Sequence, residues 1–147
     1  MPRFIFRLQG YLNLKSKMED QRKLEYGQAV SDLERERAKL ARLELQRAET
    51  ISSFREGINA SIKPQEAGFY NSYLSWLKES ISKQADSVSQ AESEVERRRA
   101  ALAEAMKERK VLETLKEKHY AEYMREQNLA EQKAVDEIVS FRRSNRG

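Results

Sequence analysis

Residues 55–68 read REGINASIKPQEAG, and this stretch decides the fold. Gly57 and Asn59 are residue types that close a helix in a left-handed cap. Pro64 followed by Glu66 suits a helix start, with the fixed φ of proline in the first turn and a carboxylate near the positive end of the helix dipole. Only five Gly and two Pro occur in 147 residues, so little else interrupts the chain. The expected architecture is all-α, with a first helix over about residues 4–56, a turn over about 57–64 and a second helix over about 65–143. Neither helix is stable alone as a charged rod, so the short connection predicts a long two-helix antiparallel coiled-coil hairpin, one unit over residues 1–147.

Working outward, Leu74, Ile81, Val88, Val95 and Leu102 recur every seven residues, and Leu77, Ala91, Ala105 and Leu112 take the intervening positions. That is a heptad pattern, the seam of a coiled coil. Gln84 and Arg98 interrupt it, and polar residues so placed set register. In the first helix Tyr26, Ala29, Leu33, Leu40, Leu43 and Phe54 keep the same spacing, while Glu36, Arg47 and Thr50 fall on the stripe. A second stripe of Ala41, Leu45 and Ala48 leads to the expectation that the packing face drifts around the helix. Gly10 and Gly27 are expected to allow close approach of the second helix.

With the bend centred on residues 60 and 61, residue 4 lies opposite about residue 118. The last 25 or so residues then have no partner, and the C-terminal helix is expected to overhang. Beside the bend, FYNSYLSWLKESI (residues 69–81) gathers Phe69, Tyr70, Tyr73 and Trp76, the only tryptophan. Phe69, Tyr70 and Tyr73 are expected to pack across the hairpin against Ile51, Phe54 and Ile58.

Charged residues make up 35% of the chain, with a formal net charge of +4. Residues 1–62 carry 12 basic and 9 acidic groups and the remainder 16 and 15, so no segment has a strong field of its own. The run Arg97, Arg98, Arg99 is flanked by Glu92, Glu94 and Glu96, which reads as a solvated helix face, and nucleic acid is not an expected partner. The absence of cysteine suits a reducing cytosolic compartment. The opening MPRFIFRLQGYLNL lacks the uninterrupted apolar core of a signal peptide, and no stretch has the roughly 20 apolar residues of a membrane span.

Catalysis is not expected. One histidine, His119, stands on a charged helix and cannot make a metal site or a triad alone. No phosphate-binding G-x-x-x-x-G-K-[ST] loop occurs, and the carboxylates alternate with Lys and Arg as helix-supporting ladders, as in Glu113, Lys116 and Glu117. No metal or other cofactor is expected.

Three stretches together resemble the FliJ family of flagellar type III export proteins. FIFRLQGYLNLK (residues 4–15) is similar to the family's N-terminal pattern through Phe6, Leu8, Gln9 and Leu12. ERKVLETLKEK (108–118) and EQKAVDEI (131–138) are similar to its C-terminal pattern through Arg109, Lys110, Leu115, Lys133, Asp136 and Glu137. The resemblance implies a non-enzymatic cytoplasmic protein, peripheral to the inner membrane at the flagellar base. It implies a monomeric stalk whose terminal end, carrying those ten residues, enters and activates the hexameric export ATPase FliI. It further implies contact with the export gate protein FlhA through Tyr73, Leu77, Ser80 and Gln84, which recur on one helical face, and escort of export chaperones. A self-assembling coiled-coil scaffold and the equivalent stalk of a virulence-type secretion system are the alternatives.

Overall fold

The computed structural model describes residues 3–146, which form two α-helices, α1 (Gln9–Asn59) and α2 (Pro64–Arg146). The expected first helix began near Phe4, but residues 3–6 are not helical and residues 7 and 8 form a turn. The reason lies in alternation: Phe6 is buried, Ile5 is 77% exposed and Phe4 is half-buried, which is the period of an extended strand and not of a helix. Both helices also run further at their C-terminal ends than the sequence reading placed them, to Asn59 and Arg146.

The cap of α1 differs from the expectation as well. Its left-handed residue is Ser61, with φ 61°, and neither Gly57 nor Asn59. The Ser61 amide donates to the Ile58 carbonyl at 3.1 Å and the Ile62 amide to the Gly57 carbonyl at 3.0 Å, the paired bonds of a Schellman motif. Gly57 matters for space: a Cβ there would lie 2.6 Å from Cγ2 of Ile62. Pro64 opens α2, and the Glu66 and Ala67 amides both donate to the Lys63 carbonyl at 3.1 Å.

The chain divides into two compact units, residues 3–20 with 103–146, and residues 21–102. In the unit of residues 21–102, Ala29, Leu33, Leu77 and Val88 form the buried line, joined by half-buried Tyr26, Leu40, Leu43, Phe54, Leu74, Ile81 and Val95. Partners ascend along α1 as they descend along α2, through Glu25 with Arg98, Glu36 with Gln84 and Phe54 with Tyr70, so the pairing is antiparallel. The expected drift does not occur: Ala41, Leu45 and Ala48 all face solvent. Gly10 and Gly27 have nothing within 4 Å of a built Cβ, so they admit no close approach.

In the unit of residues 3–20 with 103–146, Phe6, Leu12 and Leu112 form a core cluster against which Phe4 and Leu115 pack. Phe4 sits edge-on to Tyr120 at 5.2 Å between centroids and 5.5 Å from Tyr123, and Phe6 lies edge-on to His119 at 5.7 Å. These rings end the pairing. Beyond them, every described side chain from 128 to 146 is exposed, the unpartnered extension that the hairpin arithmetic requires.

Candidate partner-binding faces

The first face lies on the early turns of α2. Here the expectation that Phe69, Tyr70 and Tyr73 seal the bend fails for two of the three. Only Tyr70 packs inward, with its ring 5.0 Å from that of Phe54. Phe69 is 71% exposed and Tyr73 42%, and Ile58, one of their expected partners, is exposed too. Trp76, 54% exposed, stacks on Tyr73 with centroids 5.8 Å apart and ring planes 17° from parallel.

The heptad explains this division. Carried back from Leu74 and Leu77 by seven residues, its rows pass through Ala67 and Tyr70, both half-buried, and miss Phe69, Tyr73 and Trp76. Those three recur at i, i+4 and i+7, which puts them on one outward strip. Nearness to the bend suggested burial, but row position decides it.

The four residues aligned with a gate contact separate accordingly. Tyr73 presents its ring to solvent, and Ser80 is half-buried. Leu77 is 0% exposed, out of a partner's reach while the helices are paired. Gln84 is committed inward, donating to the Glu36 backbone carbonyl at 2.9 Å and to the Glu36 carboxylate. Phe69 and Trp76, which the sequence reading did not place on this face, complete it.

The second face belongs to the unit that holds the chain ends, where the ten residues assigned to an ATPase-facing end fall into three groups. Phe6 and Leu12 are core, and Leu115 packs against it. Arg109 is also internal: it donates to Glu19, which is 4% exposed, and to Glu113 at 2.6 Å. Leu8 and Lys110 are exposed, and the Gln9 side chain donates to the Asn13 side-chain oxygen at 2.9 Å. Lys133, Asp136 and Glu137 stand on the unpartnered extension with exposed Leu129, Val135, Ile138 and Phe141. The terminal pattern is thus partly a set of packing residues.

Charges inside the seams are paired. Lys15 contacts Glu108 at 2.8 Å, and that hydrogen bond holds the Lys15 ammonium above the usual lysine range. Glu19, then Glu113, raise the Arg109 guanidinium further still. Arg98 bridges Glu94 at 2.8 Å and Glu25 at 3.1 Å. Hydrogen bonding from Arg22 first holds Glu25 below the usual carboxylate range, and from Arg97 first does the same for Glu94. No buried side-chain nitrogen or oxygen among the described residues lacks a partner. These layers resemble register locks and not reaction centres, because every charge is already answered by a neighbour.

Among the described residues no group of three or more His, Cys, Asp or Glu could hold a metal ion, and no helix is long and apolar enough to cross a membrane.

Comparison with known proteins adds two findings and one absence. A family model described as "Flagellar FliJ protein" matches residues 4–147. Among solved structures, a protein described as a YscO homolog, CT670 from Chlamydia trachomatis, is similar at a TM-score of 0.71 and 23% sequence identity, over 95% of this chain and 94% of that one. At that identity the likeness is one of fold. None of the curated proteins matches the sequence.

Proposed function

Because the chain belongs to the flagellar FliJ family, we propose that it is a non-enzymatic component of the flagellar type III export apparatus, a coiled-coil stalk that binds and activates the hexameric export ATPase FliI. One observation carries this reading: α2 continues from 128 to 146 with no partner among the described residues, yet displays Leu129, Val135, Ile138 and Phe141 to solvent. A lone helix with exposed apolar side chains gains most from a surface that surrounds it, as the inner wall of a protein ring does. The paired charges inward of it hold the two helices in one register, so that the extension is offered at a fixed length. Lys133, Asp136 and Glu137 supply both signs of charge for contacts with ring subunits.

The early turns of α2 serve the export gate protein FlhA. Tyr73 makes the contact with Ser80 beside it, Phe69 and Trp76 widen the surface, and Leu77 and Gln84 act from beneath by fixing the helix that carries it. The protein works in the cytoplasm, peripheral to the inner membrane at the flagellar base, as a monomer, and escorts export chaperones. Nucleic acid is not a partner, since both signs of charge are mixed along the chain.

Binding measurements test the two faces separately. A chain ending at Gln127 keeps the Phe4, Tyr120 and Tyr123 packing and removes the extension. It is expected to lose FliI affinity by ten-fold or more and to bind FlhA as the full chain does. Equal FliI binding by the two chains would remove the role assigned to the extension.

A further inference from the structure

A shallow groove of about 330 Å³ beside the first turns of α2 is lined by Glu66, Phe69, Tyr70 and Tyr73. Three ring systems and one carboxylate converge there, and each ring face carries a negative quadrupole. The carboxylate adds a full charge of the same sign. The Glu66 side chain has no hydrogen-bond or ion-pair partner among the described residues. Two of the walls are held from behind or beside: Tyr70 by Phe54 at 5.0 Å and Tyr73 by stacking on Trp76 at 5.8 Å. A site whose rings are already placed and whose carboxylate makes no hydrogen bond or ion pair among the described residues fits a cation, and a planar guanidinium above all, because it stacks on aromatic faces while its N–H groups reach a carboxylate.

We infer that the Glu66, Phe69, Tyr70 and Tyr73 groove is a binding site for an arginine side chain presented by a protein partner. The guanidinium lies over the Tyr73 and Phe69 rings and donates to Glu66. No lysine or arginine is among the four residues that line the groove, which leaves it for a second polypeptide. The inference rests on the gate-facing reading for the partner's identity and on the groove alone for the chemistry.

The test uses the full chain and two small probes, N-acetyl-arginine methylamide and its uncharged citrulline counterpart, followed by the NMR signals of the Phe and Tyr rings and by the fluorescence of Trp76. Arginine is expected to shift the groove rings saturably, with citrulline about five-fold weaker or less. Glu66→Gln and Tyr73→Leu are each expected to weaken arginine about five-fold while leaving helix content unchanged, since both side chains face solvent. Equal binding of the two probes would overturn the site as a cation site and leave an apolar patch. So would an arginine affinity unmoved by Glu66→Gln or by Tyr73→Leu. Binding of FlhA that is insensitive to Glu66→Gln would overturn the arginine contact while keeping the gate face. An arginine response without any FlhA binding would remove the gate reading and keep the groove.

Discussion

At the scale of single residues, the bend shows how one position is set by space and another by backbone conformation. Gly57 is helical and has no positive φ, yet Ile62 folds back so closely that a methyl group would meet it at 2.6 Å. Ser61 bears the left-handed conformation that a glycine takes at little cost. Gly57→Ala is therefore expected to destabilise the hairpin by about 1–3 kcal/mol, as overpacking does, and Ser61→Gly to stabilise it by about 1 kcal/mol. Chemical denaturation of the two variants checks both signs. The sequence placed the bend correctly through Pro64 and the glycine, but it assigned the left-handed position to the residue types that prefer it, and local hydrogen bonding chose a serine instead.

A second residue-scale contrast lies one turn apart on α2. Leu77 is fully buried and Tyr73 is not. Leu77→Ala is expected to cost about 2–5 kcal/mol and to weaken partner binding only by loosening the helix pair. Tyr73→Ala is expected to cost less than about 1 kcal/mol and to weaken FlhA binding directly. A thermal melt alongside a binding isotherm separates the two. Partner binding lost in Leu77→Ala at full stability would contradict the burial argument.

At the scale of the elements, the seam of α2 was legible because seven-residue spacing is a geometric statement: each of Leu74, Ile81, Val88, Val95 and Leu102 is at least half-buried. Gln84 and Arg98 were also legible as register residues, and both reach α1 partners, Glu36 and Glu25. The first helix was read less well because its rows carry charge. Glu19 is buried among them, and nothing in a lone glutamate announces an Arg109 ninety residues on. The N-terminal arm was misread because Phe4 and Phe6 stand before a strongly helical sequence, and helix propensity hid a two-residue alternation.

These paired charges give the hairpin a pH dependence with a definite sign. Glu25 and Glu94 are held below the usual carboxylate range, so their contribution is complete above the ordinary value of about 4.3 and is lost as pH falls through their lowered folded values. Lys15 is raised, so its contribution is complete below the ordinary lysine value of about 10.4 and is lost as pH rises through its folded one. The thermal midpoint is expected to be flat from about pH 5 to about pH 10 and to fall on both sides. Glu25→Gln with Glu94→Gln is expected to lower the plateau and flatten the acid limb. An acid limb unchanged in that variant would show that other groups carry it.

At the scale of the whole molecule, a chain with 35% charged residues keeps its apolar surface for two uses. Narrow seams bind helix to helix, and the apolar side chains that stay exposed include the Phe69, Tyr73 and Trp76 strip and those of the extension from 128 to 146. A protein that worked as a self-assembling scaffold would be expected to cover both surfaces with its own copies. Sedimentation at micromolar concentration is expected to give a monomer, and a stable homodimer would favour the scaffold. The extension is the part on which the functional account depends.

The most direct test of that account is FliI turnover measured against increasing full chain and against the chain ending at Gln127. The account predicts saturable stimulation and ring assembly by the full chain and neither by the shortened one, at equal helix pairing. Equal stimulation by both, or none by the full chain, would contradict it.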